Sequence, residues 1–256
     1  MQQLIDYLKD YSPRLEKYIH DYLDQQKLQT KTIDPFVTEC LTHLEGYLLG
    51  GKKIRGALTT LGYQINGDVC SDRTIAISGA IELIHSGLLI QDDFIDQDKM
   101  RRGNISIHEL YSKQKDAHFG DSVANLICDL TFFHALNIIA TSGLNNIHLA
   151  IAKLSQQLVN TGYGEIIDIV GGDPDIVRLY KTAHYSFVMP LSVGAILSGA
   201  SNTQLDAIEK YGTEVGLAFQ IRDDILGVVG DPKITGKSNF TDITERKQTH
   251  IWQTTE

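Results

Sequence analysis

Apolar residues recur every three or four positions along most of this chain, and no alternation of apolar and polar residues lasts long enough to require a β-sheet. Several segments are apolar on most sides, which is typical of buried helices. No repeat of the roughly 20–50 residues that mark solenoid proteins is present. The sequence therefore predicts an all-α fold in one domain. The expected helical regions are 4–22, 33–49, 54–65, 74–95, 123–141, 149–159, 176–197 and 205–229.

The first of these regions contains a possible second helix start. Ser12-Pro13 is a typical helix N-terminal signal, so the region is expected to hold one or two helices.

Composition and charge exclude several classes of protein. The formal net charge of −9 argues against non-specific nucleic-acid binding, which depends on a basic surface. Three widely spaced cysteines without a CxxC pair favour buried, reduced thiols in a cytoplasmic protein over a disulfide framework or a zinc site. The N-terminus shows no basic segment followed by an apolar one, so no signal peptide is expected. Asp129, His134 and Asn137 interrupt the most apolar stretch, so no membrane span is expected.

A cluster of carboxylates ends the predicted helix over 74–95. Four residues correspond to about 400° of helix rotation, so Asp92 and Asp96 lie on one face, a turn apart. Carboxylates at that spacing repel each other, whereas Mg²⁺ prefers carboxylate oxygens and bridges to substrate phosphates. The cluster therefore indicates a magnesium site, with a solvated helix end as the alternative.

A second acidic pair, Asp223-Asp224, lies near the end of another predicted apolar helix. Two acidic helix ends in one helical domain can face each other across a cavity and hold several Mg²⁺ ions around one diphosphate. An ordinary surface pair beside Arg222 is the alternative, but the presence of both clusters favours the metal site.

Basic residues lie where a second anion could bind. The sequence GGKKIRG at 50–56 is a glycine turn that leads into the start of the helix predicted over 54–65. Helix N-termini bind anions through free N–H groups, and basic side chains strengthen this binding. The GxxxxGK[ST] spacing of a P-loop is absent. Arg101-Arg102 follows the first acidic cluster closely. Each basic segment alone is typical of a solvated turn, but together with the acidic clusters they indicate a site for two anionic substrates.

Eight segments, taken in order, carry the strongest signal in the sequence. They are GGKKIR (50–55), ELIH (82–85), DDFID (92–96), RRG (101–103), GExxD (164–168), KTA (181–183), FQIRDD (219–224) and a flap over 236–247. Their order and spacing resemble the trans-isoprenyl (polyprenyl) diphosphate synthase family, and in particular bacterial farnesyl and geranylgeranyl diphosphate synthases. The resemblance covers residues 47–249.

The resemblance implies both a fold and an activity. The fold is a single-domain helical bundle of the isoprenoid synthase type with a central cavity, here over residues 1–256 and without the C-terminal helices of most members. The activity is Mg²⁺-dependent, head-to-tail condensation of isopentenyl diphosphate with an allylic diphosphate, in a homodimer.

The resemblance also implies roles for single residues. Asp92, Asp96 and Asp223 would ligate up to three Mg²⁺ ions, supported by Asp93 and Asp224. The other predicted site residues are cations and polar groups that hold the two substrates. The allylic diphosphate would contact Arg101, Lys181, Lys237 and Lys247, isopentenyl diphosphate would contact Lys52, Arg55, His85 and Arg102, and the reacting carbons would lie near Thr182 and Gln220.

Three features depart from the family pattern. Gly227 occupies the last acidic position of the second motif, as in DDxxG members, the segment 168–181 is short, and the sequence ends before the C-terminal helices of most members. Gly227 and the short end favour an alternative function, a non-catalytic, prenyl-diphosphate-binding subunit of a heteromeric synthase. Terpene cyclases and squalene-type synthases also use aspartate-rich helices, but GGKxxR implies an isopentenyl diphosphate site and argues against them.

Residues just before the first aspartate motif influence product length in the family. Gly87 and Leu88 stand five and four residues before Asp92, where short-chain members often have Phe or Tyr. Five residues span roughly 7.5 Å of helix, the depth of one or two isoprene units. Gly87 thus predicts room for a longer tail and C20 as the main product. C15 is the expected product if another helix closes the tunnel, and longer products are expected if none does. The alternative is that Gly87 permits close helix packing.

Overall fold

The computed structural model describes residues 2–49 and 51–229. Contacts divide the chain into two compact units, Met1–Thr60 with Cys70–Leu144 and Leu61–Val69 with Asn145–Glu256. Both units are built from helices, which confirms the predicted all-α fold class. The single domain with a central cavity stays a prediction.

The elements of the first unit are helices and one short hairpin: α1 (Gln2–Thr30), α2 (Pro35–Leu48), the start of α3 (Ile54–Tyr63), α4 (Asp72–Ile95), β1 (Met100–Arg101), β2 (Asn104–Ile105), α5 (Ile107–Ser112) and α6 (Ala117–Thr141). The second unit holds the end of α3 with a 3₁₀ turn (Gln64–Asn66), α7 (Ile147–Ile169), α8 (Pro174–Val177), a π-helical segment (Arg178–Val188), α9 (Met189–Leu197) and α10 (Asn202–Val229).

The first helix continues through Pro13 instead of starting again there. Tyr11, Leu15, Ile19 and Leu23 recur every four residues, and none is more than 2% exposed. A proline inside a helix costs about 3 kcal/mol because it removes a hydrogen bond and crowds the preceding turn. Burial of this apolar face offsets that cost, so the two-helix alternative is wrong.

Helices α4 and α6 pack together in the first unit. Ser71 opens α4 with a capping box, in which its hydroxyl accepts from the Thr74 N–H at 3.3 Å and the Thr74 hydroxyl accepts from the Ser71 N–H at 3.2 Å. By length and composition alone, both helices could cross a membrane. The apolar window of α4 is 78% buried, as expected for a core helix, and that of α6 is 44% buried.

A two-stranded hairpin, which was not predicted from the sequence, follows α4. Met100 pairs with Ile105 and Arg101 with Asn104 in antiparallel register. Arg102 and Gly103 form the turn with φ of 53° and 78°. Positive φ at both turn residues matches the twist of the flanking strands. Strands of two residues are too short to show an alternating pattern, so only the Arg-Gly turn could have indicated them.

The segment Arg178–Val188 of the second unit is π-helical. The sequence predicted one continuous helix over 176–197, whereas the structure has α8, this segment and α9 in succession. Glycines of α7 and α10 lie against its backbone. A Cβ on Gly164 would lie 2.4 Å from the Lys181 nitrogen, and one on Gly216 would lie 2.7 Å from the Ala183 Cα. π-Helical geometry is rare and occurs frequently at functional sites.

Candidate active site

The first aspartate motif closes α4. The Asp96 N–H donates to the Asp92 carbonyl oxygen at 2.9 Å, so the helical backbone geometry extends through both residues. Both side chains are partly exposed, and the spacing puts them on one helix face. Two accessible carboxylates a turn apart offer the hard oxygen donors that Mg²⁺ prefers.

Asp93, between them in sequence, is completely buried. One of its carboxylate oxygens accepts from the Tyr47 hydroxyl at 2.8 Å, and the other accepts from Arg101 Nε at 2.6 Å. Burial raises the pKa of Asp93, and Arg101 opposes this rise. These contacts suit a supporting role in which Asp93 holds Arg101, and they do not suit direct metal ligation.

Tyr47 is a site residue that the sequence analysis missed. It lies on α2, where aromatic side chains at helical spacing are ordinarily core residues, and no local pattern sets it apart.

Arg101 lies among three carboxylates. Besides its contact with Asp93, its Nη2 lies 3.1 Å from Asp92 Oδ2 and 3.3 Å from Asp98 Oδ2. Burial alone would lower the pKa of Arg101, but Asp93 and Asp92 outweigh burial and raise it. The site thus has a permanent cation directly beside the predicted metal ligands.

The two lysines after Gly51 have different environments. Lys52 is exposed, whereas Lys53 is buried and its Nζ donates to the Leu48 carbonyl oxygen at 2.7 Å. The Arg102 guanidinium lies close to Gly51, where a Cβ would be 2.7 Å from Arg102 Cζ. The φ of Gly51 is 89°, so a side chain there would strain the backbone as well as displace Arg102. The structure thus brings Gly51 and Arg102 together.

Arg55 and His85, predicted to hold the same diphosphate, are in contact. Arg55 Nη1 lies 3.1 Å from His85 Nε2. Because a guanidinium can only donate, Nε2 is the acceptor and a neutral His85 carries its proton on Nδ1. Burial, together with the nearby Arg55 and Arg102, lowers the pKa of His85 well below its ordinary value. His85 is therefore neutral near pH 7 and orients Arg55.

We expect the buried, neutral His85 to make the protein less stable in acid. The unfolded chain protonates this residue below about pH 6.5, whereas the folded-state pKa is lower. The unfolded state then binds more protons between the two values, so the free energy of unfolding falls as the pH drops below about 6.5. Urea unfolding at about pH 7.5 and about pH 5.5, on either side of the ordinary histidine pKa, measures this loss.

The matched variants for this measurement are His85→Gln and His118→Gln, since His118 is exposed. His85→Gln should lose less stability between the two pH values than the wild type, and His118→Gln should behave like the wild type. An equal loss in all three proteins would contradict a depressed pKa at His85.

Glu82 connects α4 to the start of α3. This buried carboxylate accepts from the Gly56 N–H at 2.8 Å. Because α3 begins at Ile54, the contact satisfies one of the amides that a helix start leaves without an intrahelical partner. The ELIH segment therefore supplies both the carboxylate that fixes α3 and the imidazole that meets Arg55 on it.

In the second unit, Lys181 lies in the π-helical segment and pairs with two carboxylates of α7. Its Nζ lies 2.7 Å from Asp168 Oδ2 and 3.0 Å from Glu165 Oε2. Thr182, next in sequence, is partly exposed. The resemblance of GExxD to the family gave its two carboxylates no role, and the structure shows that they hold Lys181.

The remaining predicted residues lie on α10 or beyond it. Gln220 is partly exposed and Asp223 is exposed. The side chain of Asp224, and Lys237 and Lys247 entirely, lie outside the described residues. The two aspartate motifs belong to different units, so their meeting across a cavity stays a prediction.

Gly87 lies where α4 contacts α6. A Cβ there would lie 2.1 Å from Thr131 Oγ1 and 3.2 Å from Phe132 Cε1. The space that a side chain at Gly87 would need is already filled by Thr131, so a longer product could not enter it. The structure therefore favours the alternative that Gly87 permits close helix packing. Leu88 is partly exposed and stays the better candidate for a chain-length residue.

Comparison with known proteins agrees with these features. Residues 37–254 match the polyprenyl synthetase family. The chain is 31% identical to the short chain isoprenyl diphosphate synthase of Methanothermobacter thermautotrophicus over 97% of its own length and 74% of the relative. It is 31% identical to the (2E,6E)-farnesyl diphosphate synthase of Mycobacterium tuberculosis over 78% of its length, but spans only 55% of that protein.

A solved structure of a prenyl diphosphate synthase is also similar to this chain. The geranylgeranyl pyrophosphate synthase of Corynebacterium glutamicum, complexed with isoprenyl diphosphate and magnesium, superposes with a TM-score of 0.85 at 32% identity, over 94% of this chain and 74% of that one. These relatives are prenyltransferases, which confirms the resemblance drawn from the motifs. The chain is therefore a member of the polyprenyl synthetase family.

Proposed function

We propose that this protein condenses isopentenyl diphosphate head to tail with an allylic diphosphate and releases a short-chain trans-prenyl diphosphate, geranylgeranyl or farnesyl diphosphate, plus diphosphate. One observation carries the proposal. The first unit has the carboxylate of Asp92 beside Arg101 and also has Gly51 beside Arg102 and Arg55 beside His85. This arrangement supplies one environment for a metal-bound anion and another for a metal-free one.

The proposed cofactor is Mg²⁺, as up to three ions. Asp92, Asp96 and Asp223 would hold it, because their exposed or partly exposed carboxylates have the donor chemistry it requires. When bound, Mg²⁺ would neutralise negative charge on the allylic diphosphate as that group leaves. The similar Corynebacterium enzyme, which was crystallised as a complex with magnesium, supports this assignment.

The chain's own residues then contribute orientation and charge. Arg101 and Lys181 would bind the allylic diphosphate and stabilise the charge that develops on it, as would Lys237 and Lys247. Lys52, Arg55 and Arg102 would bind isopentenyl diphosphate and hold its double bond near the allylic carbon, with His85 orienting Arg55. The released diphosphate would take up the proton lost from the new product. Thr182 and Gln220 would lie near the reacting carbons.

We expect substitutions in the two groups of cations to affect different substrates. Lys52→Ala and Arg55→Ala should mainly weaken the binding of isopentenyl diphosphate. Arg101→Ala should mainly weaken the binding of the allylic diphosphate. Each lost charge-assisted contact should cost about 1.5–3 kcal/mol. Separate calorimetric titrations of each variant with the two ligands measure this.

Lys113→Ala removes an exposed lysine and serves as the control. Arg101→Ala also leaves the buried Asp93 carboxylate without its charged partner. Arg101→Lys keeps a positive charge there and so tests whether charge alone suffices for binding of the allylic diphosphate. Equal losses for both ligands in every variant would rule out two separate diphosphate sites.

We also propose a cytoplasmic homodimer that does not bind nucleic acid. Leu126, Leu130 and Phe133 follow one another at helical spacing on α6 and are exposed in the single chain, with 62%, 36% and 65% of their surfaces accessible. A second copy of the chain is the proposed cover for this apolar face. Analytical ultracentrifugation of the wild type and of Phe133→Glu tests the proposal, and an unchanged mass would oppose it.

The alternative function is a prenyl-diphosphate-binding subunit of a heteromeric synthase, which Gly227 at the last acidic position of the second motif favours. The protein alone would be incubated with Mg²⁺, isopentenyl diphosphate and a C5, C10 or C15 allylic primer, and the products sized by chromatography. Prenyl diphosphate formation supports the enzyme. Binding of the primer without product supports the subunit.

A further inference from the structure

The second lysine of the GGKK sequence has a conformation that side chains rarely adopt. The φ of Lys53 is 52°, in the left-handed region, and Lys53 is 3% exposed. Gly51, two residues earlier, also has positive φ at 89°. Two residues with left-handed backbone therefore lie just before the start of α3 at Ile54. A lysine in this conformation persists only where its surroundings stabilise it.

The buried ammonium group of Lys53 provides this stabilisation. Its Nζ donates to the carbonyl oxygen of Leu48, the last residue of α2, at 2.7 Å. The C-terminus of a helix leaves carbonyl oxygens without an intrahelical partner and carries partial negative charge. An ammonium group there donates a hydrogen bond to such an oxygen and also neutralises part of that charge. The Lys53–Leu48 hydrogen bond ties the residue just before α3 to the C-terminal end of α2. We call the segment held by this bond the closed loop.

The closed loop determines where two predicted ligands of isopentenyl diphosphate lie. Lys52 immediately precedes Lys53 and is exposed. Arg55 follows by two residues, and α3, on which it lies, is fixed by Glu82 through the Gly56 N–H. Release of Lys53 would free the backbone that carries Lys52 and leads into Arg55 at the start of α3.

We propose that Lys53 is a positioning residue for isopentenyl diphosphate, which it does not touch. This inference rests on the proposed function for the identity of the ligand. The buried ammonium sets the loop, and the loop aims Lys52 and Arg55 at the same diphosphate.

Three variants separate the parts of this proposal. Lys53→Met keeps the aliphatic stem and removes the ammonium. Lys53→Gly removes the ammonium but favours positive φ. Lys52→Met removes a direct ligand and leaves the loop closed. The measurements are calorimetric affinities for isopentenyl diphosphate and for an allylic diphosphate analogue, and amide hydrogen exchange of the peptide covering residues 51–56 without ligand.

Lys53→Met and Lys53→Gly should lower the affinity for isopentenyl diphosphate about tenfold, which is comparable to the loss of one charge-assisted hydrogen bond. Both variants should also accelerate hydrogen exchange of the loop amides. Binding of the allylic analogue should change less than about twofold. Lys52→Met should lower the affinity for isopentenyl diphosphate without changing hydrogen exchange of the loop amides. Wild-type affinity in both Lys53 variants, or unchanged loop exchange in them, would overturn the proposal. Absence of isopentenyl diphosphate binding by the wild type would overturn the proposed function instead, and loop exchange would still test the role of Lys53.

Discussion

Replacement of Asp92 by alanine is expected to lower kcat by on the order of 10³-fold, because charge stabilisation of a leaving group is among the largest single terms in catalysis. Asp92 is partly exposed at the end of α4 and lies 3.1 Å from the permanent cation Arg101. Its loss removes a metal ligand and also changes the charge balance around Arg101. Initial rates at increasing Mg²⁺ concentrations measure the effect.

Asp223→Ala on α10 should give a loss of similar size. Asp206→Ala, which removes an exposed carboxylate from the same helix, should leave the rate unchanged and serves as the control. Condensation at near wild-type rate in either aspartate variant, or in excess chelator, would be incompatible with these residues as magnesium ligands.

Replacement of Gly164 by alanine is expected to cost on the order of 1–3 kcal/mol of stability, the usual range for overpacking. A Cβ at this position would lie 2.4 Å from the Lys181 backbone nitrogen and 2.9 Å from the Lys181 Cα, and backbone cannot move aside as a side chain can. The displaced segment carries Lys181, so binding of the allylic diphosphate should weaken as well. Urea unfolding and a calorimetric titration measure the two effects.

Gly162→Ala provides a matched control two residues earlier on α7. Among the described residues, nothing lies within 4 Å of a Cβ at Gly162. Alanine is favoured over glycine inside a helix by roughly 0.5–1 kcal/mol, so this variant should be slightly more stable than the wild type. If Gly164→Ala were equally well tolerated, the close approach of α7 to the π-helical segment would not constrain the protein.

Local periodicity predicted the bounds of two long helices well, but it did not predict where contacts with other segments extend a helix. The region 74–95 became α4 (Asp72–Ile95), and 205–229 became α10 (Asn202–Val229). α7 continues ten residues past the predicted end at 159, through glycines that normally discourage helix. Gly164 is needed there because the backbone of the π-helical segment approaches it, and such a contact between distant segments leaves no periodic signal.

Spacing placed Asp92, His85 and Arg55 on the correct helices, but it did not predict the hairpin that carries Arg101 and could not separate neighbours in sequence. Asp92 and Asp93 both belong to the aspartate motif, yet only Asp92 is partly exposed while Asp93 is buried against Tyr47 and Arg101. Lys52 and Lys53 differ in the same way. Gly87 was correctly placed on the aspartate helix, but its lack of a side chain accommodates Thr131. In each case burial by another segment decides the role.

The position of Arg101 has a practical consequence for handling the metal-free protein. Clustered carboxylates ordinarily need a bound ion to relieve their repulsion, and proteins that depend on this relief unfold when a chelator removes the ion. Here the guanidinium beside Asp92, Asp93 and Asp98 acts as a covalently attached counter-ion. Purification and storage in chelator should therefore leave the first unit folded, with inhibition reversed simply by adding magnesium back.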